Sequence, residues 1–330
     1  MLMQFRRSLR LMVIEAIVLF PKTKRTHRFL IFNPKSTFHF VNKPTRNILI
    51  LGVFLLIITG CSTIHSENVS QFRQGVAQTH QQLDAAFHDA NALAREEEIN
   101  YLLATTRPGI TEADVTPALN TDDVAAWDDA FSKIESYASA LEMLLSSDQS
   151  KQFSDAILAL STDLNSSKTR ININPGVAAA FTELGTVLID LKTQTSAKAA
   201  MQMADPAIRN TLTQMARAIG NSDQSPGVRS VVWANWETKL AEGPIRAYAD
   251  AQIGNHPEQK KVAAQSYVTM LDQRDAQLQI LASLRQSLLL LADVHTAAAS
   301  GSTANVASLI SAISKRVDET QSLLISLKTK

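Results

Sequence analysis

The sequence predicts an all-α fold, an elongated helical bundle with long amphipathic helices, over residues 68–330. Three observations carry the prediction. Apolar residues recur at three- and four-residue spacing, capping side chains stand before prolines, and strand-like alternation is almost absent. The first helix, 68–104, carries Phe72, Val76, Leu83 and Phe87 on one face. Helices at 122–146 and 149–166 follow an irregular connection, 107–120, that contains Pro108, Gly109 and Pro117. Asn174-Pro175, Asp205-Pro206 and Ser225-Pro226 then predict helix starts, giving 175–203, 206–220 and 226–253. The cap bonds orphan N–H groups, and proline has no N–H to lose there. Gly243-Pro244 is expected to kink or break the last of these, and Gly254 to stop it.

A helix over 257–299 comes next, with Leu281, Leu284, Leu288 and Leu291 at heptad spacing. Its 43 residues would run roughly 65 Å, too long for a compact sphere. Gly301 ends it, and Ser302 and Thr303 cap a final helix, 303–328. There Leu309, Ile313, Val317, Thr320, Leu324 and Leu327 form a stripe. No period of 20–50 residues recurs, which argues against a solenoid.

Charge is divided unevenly along the chain. The first 60 residues hold 10 of the 32 Lys+Arg and one of the 31 Asp+Glu, leaving 22 basic and 30 acidic residues beyond them, a formal charge of −8. An acidic domain without a Lys/Arg cluster has no footprint for a phosphate backbone, so no nucleic-acid partner is expected. Cys61 is the only cysteine, so no disulfide is available, and about 270 residues suffice for a core without one.

Cys61 closes an apolar run, Ile48 to Thr59, preceded by Lys43 and Arg46 and followed by a polar stretch, Ser62 to Asn68. The core of 12 residues is shorter than the roughly 20 that a spanning helix needs. A basic flank, a short apolar core and small residues before a thiol make an export signal. Ile58-Thr59-Gly60-Cys61 resembles the lipobox of bacterial lipoproteins. That resemblance implies diacylglycerol on the Cys61 thiol and cleavage between Gly60 and Cys61. Two or three acyl chains suffice for stable anchoring. Ser62, where an aspartate would imply inner-membrane retention, favours the outer membrane, facing the periplasm. The expected organisation is 1–40 outside the mature protein, 41–60 as signal peptide with Val41 as a non-ATG start, 61–67 as lipidated tether and 68–330 as bundle.

Catalytic signatures are sparse. There is no Gly-x-Ser-x-Gly elbow, no glycine-rich phosphate loop and no free thiol once Cys61 is acylated. His65, His80, His88, His256 and His295 are read as solvated or half-buried and converging on nothing, so no metal and no cofactor is expected. Glu96-Glu97-Glu98 reads as a solvated face, and Trp127 as core. Trp233 and Trp236, three apart on one helix, read as core anchors, with a ligand wall or partner surface as the sharper alternative. Leu288 to Leu291 is apolar all round and reads as the bundle centre.

The expected function is a non-enzymatic, lipid-anchored scaffold or protein-interaction module. Its partners would be the membrane, through Cys61, and a protein. Resemblance in outline to envelope assembly factors and accessory subunits points the same way. The alternatives are a bundle that binds an apolar small ligand, an enzyme of another helical class, and a helical pore former using Leu288–Leu291.

Overall fold

A computed structural model describes residues 66–103, 109–145, 149–166, 171 and 173–328. The signal region and Cys61 therefore lie outside the described residues. All regular structure among these residues is helical, so the predicted all-α fold holds. The helices are α1 (Ser66–Leu103), α2 (Thr121–Met143), α3 (Ser150–Leu164), α4 (Pro175–Leu191), α5 (Ala197–Ile219), α6 (Val228–Leu240), α7 (Arg246–Ile253), α8 (Pro257–Ser300) and α9 (Thr303–Lys328). A 3-10 turn, Glu112–Asp114, lies between α1 and α2, and a π-helical turn, Ala241–Ile245, joins α6 to α7.

Local chemistry explains most of the boundaries. Asn174 caps α4 by accepting from the Val177 amide at 2.9 Å, with Pro175 in the first turn. Asn120 caps α2 in the same way, from the Asp123 amide at 2.7 Å. Gly301 ends α8 in the left-handed region, at φ 83°, where a side chain would be strained. Gly243-Pro244 sits in the π-helical turn, so the chain stays helical through one wide turn instead of breaking.

One predicted boundary is wrong. Asp205-Pro206 does not start a helix; Pro206 lies inside α5, which begins at Ala197 after the polar stretch Thr193-Gln194-Thr195-Ser196. The site tolerates proline because Gln202, Met203 and Pro206 all face solvent, where water satisfies the carbonyl that loses its amide partner. Ser225-Pro226 falls just short of a start: Gly227 caps α6, and Ser225 bonds Ser222 at 2.8 Å. Gly227 (φ 152°) also allows a close approach, since a Cβ there would stand 2.6 Å from the Ala218 carbonyl oxygen.

Seven helices close a ring of neighbours. Each of α1, α2, α3, α4 and α5 packs on the next, α5 packs on α8, α8 on α9, and α9 returns to α1. Helix α8 also touches α1 and α6, which makes it the spine. At 44 residues it runs about 66 Å. The predicted stripes form its packing surface: Phe72, Val76, Leu83 and Phe87 are buried, as are Leu281, Leu284, Leu288 and Leu291. Each such side chain contributes roughly 1.5–3 kcal/mol of burial. The first turns of α8 leave the core. Between Ala241 and Thr269 only Pro244, Ala251 and Ala263 are buried, and α7 packs there on α8 and the π-helical turn.

Candidate functional site

Two histidines gather polar groups across helices, against the expectation that the histidines converge on nothing. His295 on α8 is fully buried. Its Nδ1 lies 2.8 Å from Asp205 Oδ1 on α5, and its Nε2 lies 3.0 Å from the Tyr137 hydroxyl on α2. The ionised carboxylate only accepts, so Nδ1 carries the proton and Nε2 accepts from the phenol. Phe72 packs edge-on against the imidazole at 5.1 Å. Thr296 donates to Asp205 at 2.9 Å and accepts from Arg209 at 3.3 Å.

Burial keeps His295 below its ordinary pKa, although Asp205 opposes this, so the ring is neutral. Burial would raise Asp205, but the bonds from His295 and Thr296 outweigh it and hold the carboxyl low. Burial, with the Asp205 charge, pushes the Tyr137 phenol well above its ordinary pKa. An Asp–His pair usually orients a base toward a nucleophile. Here the third member is an inert, buried phenol, and the chain of bonds ties α2, α5 and α8 together.

His80 forms the second cluster, nearer the surface between α1 and α2. Its Nδ1 lies 2.9 Å from Glu135 Oε1 and its Nε2 lies 2.9 Å from Asp128 Oδ1, while Asp84 stands 3.8 Å away. The ring stacks on Phe131, with centroids 5.1 Å apart and planes at 8°. Burial would lower the His80 pKa, but the bonds to Glu135 and Asp128 and the surrounding acid charges outweigh it and raise it. The imidazolium donates from both nitrogens. One ligand atom each of His80, Asp84 and Asp128 lies within 4.8 Å of the others, a donor set a cation could use. Metal and proton compete for the same imidazole lone pair, so a cation bound through His80 would release the ring proton.

A sequence signal for the His80 cluster was present but missed. His80 and Asp84 are four apart on one helix, and Asp128, Phe131 and Glu135 share a face of the next. Asp205 was assigned to a helix cap, which hid its role beside His295.

The remaining residues singled out in the sequence fall as follows. Trp127 is buried and meets Phe87 edge-on at 5.8 Å. Trp236 is buried, and its indole N–H donates to Gln277 Oε1 on α8 at 2.6 Å. Trp233 is half-buried against the same core. Gly60 and Cys61 lie outside the described residues. No described helix is long and apolar enough to cross a membrane. Compared with protein families, with curated proteins and with solved structures, the chain matches none.

Proposed function

We propose that this chain is a lipid-anchored lipoprotein of the bacterial envelope, acylated at Cys61, that holds a protein partner without catalysing a reaction. The anchor rests on the lipobox-like Ile58-Thr59-Gly60-Cys61, with 41–60 as the removed signal and the outer membrane, facing the periplasm, as its site. Attachment through Cys61 would give stable membrane binding without a spanning helix.

The partner reading rests on one observation, the arm made by the π-helical turn, α7 and the start of α8. Ile245 (50% exposed), Tyr248, Ile253 (86%), Val262 and Val268 cluster there in 24 residues, five of the thirteen large exposed apolar side chains among the described residues. Exposed apolar clusters of this kind mark contact surfaces. Its charged side chains balance: Arg246, Lys260 and Lys261 against Glu242, Asp250 and Glu258. The expected partner therefore offers an apolar surface instead of a charged one.

A photo-reactive residue placed at Ile253 in envelope membranes tests this. One discrete protein adduct is expected, absent when the same probe replaces exposed Leu158 on α3. Adducts with lipid alone, or the same adducts from both positions, would contradict the partner reading.

A further inference from the structure

Away from both histidine clusters, a cavity of about 240 Å³ opens between α6, α8, α9 and the loop after α5. Arg229, Arg285 and Arg316 line it, one from each helix, and Glu319 is the one carboxylate in its lining. Ser283 forms part of the wall and belongs to a buried polar network: Gln82 donates to Thr320 Oγ1 at 2.6 Å and to Ser283 Oγ at 3.2 Å. Three arginines thus line one cavity of an acidic domain.

Two of the arginines have acidic partners. Arg229 Nε donates to Asp223 at 2.7 Å, and Arg316 donates to Glu319 at 3.1 Å. Arg285 has none. Its Nε is buried without a hydrogen-bond partner among the described residues. A buried donor left unpaired opposes folding, and arginine cannot shed its charge to escape.

We propose that the cavity is an anion site for a phosphomonoester, with Arg285 as its principal donor. With Asp223 on Arg229 and Glu319 on Arg316, the uncompensated charge at the cavity is that of Arg285, and a phosphomonoester supplies the anion to pair with it. Its three terminal oxygens offer more acceptors to the Arg285 guanidinium and the polar wall than the two of a carboxylate. The group could come from a soluble ester or from a lipid headgroup. The site does not depend on Cys61 or on the α7–α8 arm, so it stands or falls apart from the function proposed above.

Calorimetric titration of the full-length protein in detergent, at matched ionic strength, tests the site with glycerol 3-phosphate and with acetate. Saturable binding of the phosphate ester is expected, with acetate giving none. Arg285→Gln should weaken binding about tenfold or more, the loss of one charge-assisted donor pair. Circular dichroism checks that the variant folds. Arg316→Gln, at a side chain 45% exposed, provides a second weakened variant that packing does not threaten.

Flotation of the Cys61→Ala protein with phosphatidylcholine vesicles, with and without phosphatidate, identifies the source. Capture dependent on phosphatidate and lost with Arg285→Gln assigns a lipid headgroup. Soluble binding without capture assigns a soluble ester. The proposal is overturned if neither phosphate source binds, if acetate binds as tightly as the ester, or if folded Arg285→Gln and Arg316→Gln both bind like wild type.

Discussion

His80 and His295 couple this fold to pH with opposite signs. The folded pKa of His80 is raised above 6.5, so its contribution is fully present below that value and is lost as pH rises through the folded pKa. The folded pKa of His295 is lowered from 6.5, so the unfolded chain takes up a proton that the buried ring refuses. Its contribution is present above 6.5 and is lost as pH falls. Replacing His80 by Gln should remove the decline in stability on the alkaline side and leave the acid-side loss in place, as read by urea midpoints from about pH 5.5 to about pH 8.5. An unchanged profile would show that the acid cluster does not hold the imidazolium. Little of this was legible in the sequence. Helical spacing places His80 beside Asp84, but Asp128 and Glu135 reach it only after α2 docks on α1. For His295, two partners lie 158 and 90 residues away, and no local pattern records such distances.

At the scale of elements, the fold was largely legible, because helical periodicity and capping are local. The heptad leucines of α8 needed no tertiary information, nor did the Asn174-Pro175 start or the Gly301 stop. Asp205-Pro206 failed for a physical reason: the same pair suits a helix start or, where the proline faces solvent, a helix interior, and only packing decides. The α8 stripe can be tested directly. Leu284 is fully buried, and an aspartate there should cost about 3–5 kcal/mol by burying an unpaired charge. Gln279, on the exposed face of the same helix, should accept aspartate with little change. Thermal melts of the two variants compare them; equal melting temperatures would show that the stripe is not core.

For the whole molecule, the proposed arrangement is an acidic helical domain held at a membrane through one thiol. The domain carries its own contiguous core, and Cys61 precedes its first helix in the sequence, so fold and anchor should separate cleanly. The most direct test is fractionation of cells expressing wild type or Cys61→Ala, with a metabolic fatty-acid label. Wild type should carry label and sediment with the outer membrane. Cys61→Ala should lose the label and leave the outer-membrane fraction, while its circular dichroism keeps the helical minima of the wild-type domain. Wild type without lipid label, sedimenting with membranes to the same extent as Cys61→Ala, would contradict the anchor and with it the placement of this bundle in the envelope.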